Sequence, residues 1–208
     1  MKNFLPEMLL EIPKNAENMQ LPDPCLLRYY QDEADRILWI EGEVNEDLFE
    51  ISKHIMHYNR MDKGMSVEER KPIKIFINSP GGLLEETLAF VKLVEMSKTP
   101  VWTINTSGAH SAAGLILMSG HRRFAFPNTS CVIHSGSGGV GGTYEQTVEQ
   151  MKNYNILVDK MREFILSKTK IDQKLFKKNK SKDWYIYADE MLDYGIVDEI
   201  ITDLDILF

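Results

Sequence analysis

Cysteine is almost absent from this chain of 208 residues: only Cys25 and Cys131 occur. Two isolated thiols form neither a disulfide framework nor a metal-ligand spacing, which fits a reducing compartment, and the cytoplasm is the expected location. Long apolar runs are missing too, with nothing near the roughly 18 consecutive residues that a membrane span needs. The start, Met1 to Ile12, lacks a basic lead, a continuous apolar core and a small-residue cleavage site, so it does not read as a signal peptide. An excess of positive charge is also lacking. Lys and Arg number 24 against 31 Asp and Glu, a formal net charge of -7, which argues against nucleic acid as the principal partner. The basic run between Lys160 and Lys182 reads as a solvated face. With 43% hydrophobic residues, what remains is an ordinary globular composition, long enough for one domain with a substantial core.

Residues 1–36 carry Pro6, Pro13, Pro22 and Pro24 among mixed neighbours and read as an irregular amino-terminal arm. From 37 onward, strands and helices alternate. Ile37 to Val44 reads as a strand, and Glu46 to Tyr58 as a helix with Leu48, Ile51, Ile55 and Tyr58 at helical spacing. After a charged loop, Ile73 to Ile77 is short and apolar enough for a buried strand, ending in a sharp turn at Asn78-Ser79-Pro80-Gly81-Gly82. A second helix follows, with Leu84, Leu88, Val91 and Val94 to Met96 on its apolar stripe and an end near Thr99-Pro100. Val101 to Thr106, Arg123 to Phe126, Cys131 to His134 and Ile196 to Ile201 read as further strands. This alternation implies an α/β layered fold with a largely parallel sheet.

Two stretches stand outside that pattern. Ser135 to Gly142 holds five glycines in eight residues, too flexible for a core strand but suited to an edge that pairs with something. Thr143 to about Lys168 is one long helix with Thr147, Met151, Tyr154, Val158, Met161 and Ile165 stepping by four and three. At 1.5 Å per residue it spans roughly 39 Å, more than one small domain covers. Leu157 and Phe164, apolar but off that seam, point to packing on another subunit. Ala188 to Tyr194 reads as a short helix with Gly195 as its stop.

The chemistry centres on Gly108-Ala109-His110-Ser111-Ala112-Ala113-Gly114, where a strand hands over to an apolar segment. Small residues there expose a hydroxyl and turn backbone amides toward a bound carbonyl, which makes Ser111 the candidate nucleophile. Close helix-to-sheet packing explains the same small residues. A serine nucleophile needs a base and a group to orient it. His54 and His57 lie on a helix beside no acidic or cysteine cluster, so a metal role is weak. His110 neighbours Ser111 in sequence and points away from it, and His121 sits in an exposed basic tripeptide. His134 ends an apolar strand before the glycine-rich loop, where α/β proteins place working groups; a satisfied strand-end histidine is the other explanation. Among the acids spacing selects none, although Asp183 precedes Trp184-Tyr185 and reads as partly buried.

Asn78-Ser79-Pro80-Gly81-Gly82, the Ser111 turn, Pro127-Asn128 with Val132-Ile133-His134, Gly138-Gly139-x-Gly141, and Ala188-x-Glu190-x-x-x-Tyr194-Gly195-x-Val197-Asp198 occur in one order. Together they resemble the Clp protease proteolytic subunit family, ClpP, over residues 37–201. That resemblance implies a ClpP/crotonase-like core of repeated β-β-α and βαβ units over 37–208, with a projecting handle helix in a region of about 135–170. It implies Ser111 as nucleophile, His134 as general base and Asp183 as orienting acid. The amides of Gly82 and Ala112 would form the oxyanion hole, and a substrate strand would lie along Gly138, Gly139 and Gly141. The implied activity is serine endopeptidase cleavage of unfolded or threaded polypeptides inside a chamber of homo-oligomeric, heptameric rings that stack in pairs. No metal and no cofactor in this chain are implied, ATP being used only by a Clp-type AAA+ ATPase partner. Neither nucleic acid nor membrane is an expected partner. Alternatives are a phage head-maturation protease of the same type, a catalytically silent ring subunit, and a crotonase-type acyl-CoA enzyme.

Overall fold

The computed structural model describes residues 24–179 and 181–208. Two units divide the chain, Met1–Ala34 and Asp35–Phe208. In the first, Pro24–Ala34 forms helix α1. Proline opens it in the first turn, where an N–H has no intrahelical partner to lose, and no glycine interrupts it. The irregular arm expected over 1–36 is thus helical in its last third; its earlier part, 1–23, lies outside the described residues.

The second unit is built on a seven-stranded sheet. Its strands are β1 (Ile37–Val44), β2 (Ile73–Gly82), β3 (Val101–His110), β4 (Arg122–Ala125), β5 (Ser130–Ile133), β6 (Trp184–Tyr187) and β7 (Glu199–Ile200). One path runs β1-β2-β3-β4-β7, and a branch adds β5 to β3 and β6 to β5. All pairs are parallel except β5 with β6. The branch arises because β3 forks: Trp102 to Asn105 pair with β4, whereas Gly108 to His110 pair with β5.

Helices α2 (Leu48–Met61), α3 (Leu84–Met96), α4 (Ala112–Ser119), α5 (Tyr144–Lys168), α6 (Gln173–Asn179) and α7 (Ala188–Asp193) complete this unit. One large apolar cluster joins Ile73, Ile75 and Ile77 of β2 to Ile55, Val91, Ile116, Ile165 and Met191 of the helices. The opposite face carries a smaller cluster of Ile37, Phe76, Ile104, Phe124, Ile201 and Leu207. Both faces are covered, as parallel sheets require, and all eight residues of α4 are buried.

Five local readings change. Asn78 to Gly82 is not a turn: β2 continues through it with a register irregularity after Ile77, where Pro80 can sit without breaking the ladder. A side chain on Gly82 would overlap the carbonyl oxygen of Val44 on β1, so glycine is required by strand approach. β3 runs four residues past Thr106 because β2 and β5 go on pairing with it. Trp184 to Tyr187 becomes a strand, and Gln173 to Asn179, inside the basic run, forms a helix that buries Phe176. The final strand is only Glu199–Ile200. The long helix starts at a Thr143 cap boxed by Gln146, and its buried residues, Met161, Phe164 and Ile165, all lie in its last third. Its first half stands clear of the core, with Tyr144, Met151 and Ile156 exposed, and Val158 is the first of its residues to pack against the main cluster.

Candidate active site

The fork of β3 brings three distant residues to one end of the sheet. Ser111 follows the last residue of β3, His134 follows β5, and Asp183 precedes β6. His110 pairs with Val132 and Ile133 with Trp184, so beyond these rungs the three side chains converge.

Ser111 has φ 52° and ψ -123°, a conformation that an L residue other than glycine adopts only under constraint. Three contacts impose it. Its N–H donates to the Val132 carbonyl at 2.8 Å, and its carbonyl accepts from the Gly114 N–H at 3.0 Å. The Ser-Pro-Gly-Gly segment presses from the other side: a Cβ on Gly81 would stand 2.6 Å from the His110 oxygen and 2.8 Å from Ser111 Cβ. Gly114 is fixed in turn by Cys131, whose sulfur would lie 3.0 Å from any added Cβ.

The result is a serine hydroxyl 2.6 Å from His134 Nε2. With the ring proton on Nδ1, Nε2 accepts from the hydroxyl. On the far side of the ring, Nδ1 stands 3.6 Å from Asp183 Oδ1, longer than a hydrogen bond. The Asp183 side chain is 63% exposed and that of His134 21%, so Asp183 is open to water and not partly buried as its aromatic neighbours suggested.

The remaining candidates separate cleanly. His110 turns away from Ser111 to meet Ser130 Oγ at 2.9 Å, and burial pushes its pKa down. His121 accepts the Val101 N–H at 3.0 Å, and desolvation followed by the nearby Lys168 charge lowers its pKa. Among the described residues no group of three metal-ligating side chains occurs. Cys131 is no rival nucleophile, because burial pushes its thiol up to about 12. Ala112 opens α4, leaving its amide among the unpaired first-turn donors. Gly82, the glycine expected at the oxyanion, stands against Val44, while its neighbour Gly81 stands against Ser111 and Ala112. Residues 135–142 form no strand within the chain, and the Gly141 main chain is engaged by Gln150.

A parallel α/β sheet that ends in a constrained serine within reach of an imidazole defines a protein fit for covalent acyl transfer. The chain belongs to the Clp protease family, whose model matches residues 29–203. It is 30% identical over 192 residues to the ATP-dependent Clp protease proteolytic subunit 2 of Treponema denticola, an alignment spanning 91% of this chain and 92% of that protein. The chain is therefore a ClpP-type protease by family. No described helix is long and apolar enough to cross a membrane.

Proposed function

We propose that this protein is a serine endopeptidase that cleaves unfolded or threaded polypeptides within a chamber made by rings of its own chain. The observation that carries the reading is the 2.6 Å contact between His134 Nε2 and the hydroxyl of a backbone-constrained Ser111. In the reaction, Ser111 Oγ attacks the scissile carbonyl carbon as its proton passes to His134 Nε2. The tetrahedral intermediate collapses, the C–N bond breaks, and the imidazolium returns the proton to the leaving amine. Water then attacks the acyl-enzyme by the same exchange, releasing the carboxylic acid and restoring the hydroxyl.

Asp183 is the orienting acid, and the gap to Nδ1 closes when substrate or assembly settles the loop before β6. The amides of Ala112 and Gly82 supply the oxyanion donors, the Gly81 N–H being taken by Ser79 Oγ at 3.1 Å; one lost donor typically costs about 10² to 10³ in rate. The exposed first half of α5 is the surface by which rings, heptameric and stacked in pairs, associate. An AAA+ ATPase partner, suggested by the name of the Treponema relative, feeds the chamber. The test is intact mass after treatment with a fluorophosphonate, with Ser111→Ala in parallel. One adduct on the wild type that vanishes in the variant is expected; an assembled wild type that takes no adduct sinks the reading.

A further inference from the structure

One face of α5 runs along the whole glycine segment that follows His134. Gln146, Gln150 and Tyr154 are spaced by four, so their side chains rise from the same side of the helix, and each touches the segment. Gln146 Oε1 accepts the Thr143 N–H at 2.9 Å and would overlap any side chain on Gly142. Gln150 engages both main-chain groups of Gly141, accepting from its N–H at 3.2 Å and donating to its carbonyl at 3.2 Å. A primary amide held this way makes the two bonds that a neighbouring strand would make. Tyr154 closes the other end: its hydroxyl would overlap a side chain on Gly136, where φ is 86°, and its ring lies 3.8 Å from the Cβ position of Gly138. At Gly139 and Gly141 an added Cβ would meet nothing within 4 Å. The segment is thus backed by Tyr154 at 136 and 138, tied at 141, and open on its other side.

We propose that Gln150 and Tyr154 are positioning residues for the substrate, holding this segment as a ready-made strand edge that Gln150 closes at Gly141. An extended polypeptide then pairs with residues 137–140 and stops there. This rests on the protease reading above and replaces Gly141 as a substrate contact, since its donor and acceptor are already used. The physical need is plain. Glycine loses more conformational freedom on ordering than any other residue, and a five-glycine segment left to itself would charge that loss to every binding event. Ordering it in advance moves the loss to folding and lowers KM.

The experiment uses the full chain, with Gln150→Ala, Gln150→Glu and Tyr154→Ala. It reads kcat and KM on a fluorogenic decapeptide beside the rate of Ser111 phosphonylation by a small fluorophosphonate. Gln150 is exposed, so its substitutions leave the core intact. Gln150→Ala and Tyr154→Ala should raise KM about tenfold, with kcat within about twofold of wild type. Gln150→Glu, which keeps the acceptor for the Gly141 N–H and loses the donor to its carbonyl, should fall between. Phosphonylation should keep its wild-type rate, because a small reagent needs no strand edge. An unchanged KM in the Gln150 variants overturns the proposal, as does a phosphonylation rate that falls in step with turnover. A wild type that is not phosphonylated at all removes the protease reading, and this proposal with it.

Discussion

Of the aspartates that face a basic side chain, Asp62 and Asp183 are treated in opposite ways. Asp62, at the end of α2, receives the Arg36 guanidinium through both oxygens at 2.6 and 2.7 Å, and the Thr99 hydroxyl at 2.8 Å. Their side chains are 11% and 3% exposed for Arg36 and Asp62, and Arg36 also lies 5.0 Å over the Tyr58 ring. The Arg36 hydrogen bonds hold the Asp62 carboxyl below its ordinary pKa. Asp183 faces His134 across 3.6 Å and is mostly in water. A carboxylate that ties β1, α2 and the entry to β3 must be desolvated and fully bonded. One that answers a proton arriving on an imidazole can be left a step short of contact and drawn in only when needed.

Substitutions can break this contrast. Ser111→Ala should lower kcat/KM on peptides by about 10⁵ while changing stability by no more than about 1 kcal/mol, measured by peptidase assay and urea unfolding; retained turnover would place the nucleophile elsewhere. Next in size, Asp62→Ala should cost about 4 kcal/mol of stability, because it strands a buried guanidinium, yet leave activity per folded molecule intact. A loss of turnover without a shift in urea midpoint would erase the distinction between the two acids. Asp183→Asn is the mirror image, with kcat/KM down about 10² and stability within about 0.5 kcal/mol. If it instead lowers the melting temperature by many degrees, Asp183 is structural after all. The smallest effect is on pH dependence. Since the folded pKa of Asp62 is depressed, its contribution is present above the ordinary carboxylate range and fades as pH falls through the lower folded value. Wild type should therefore lose stability on acidification more steeply than Asp62→Asn, as read by urea midpoints across that range.

Much of this was legible in the residues themselves. The small-residue turn flagged Ser111, and the apolar strand ending before glycines flagged His134, because both signals depend on local chain geometry. Asp183 drew only a weak signal from its aromatic neighbours and took its role from the resemblance to the family: the four residues Trp184 to Tyr187 carry too short a pattern to announce β6, and without β6 nothing brings 183 beside 134. Proline and glycine at 80–82 suggested a turn, but pairing with β1 outweighs local preference there. Ser107-Gly108 likewise looked like the end of a strand that two neighbours in fact prolong. Gln150, a polar residue on an exposed helix face, offers no sequence signal; only the position of Gly141 gives it meaning.

The forked strand has a consequence for how the protein fails. β3 is flanked by β2 on one side and by β4 and then β5 on the other, whereas β6 has β5 as its one neighbour among the described residues. The serine is thus carried by the part of the sheet where amide exchange should be slowest, and the aspartate by a rim that should open in small, frequent excursions. Warming should peel β6 away while the rest of the sheet is still closed. Peptidase activity would then disappear several degrees before the main calorimetric transition and return on cooling, with the central strand never having unfolded.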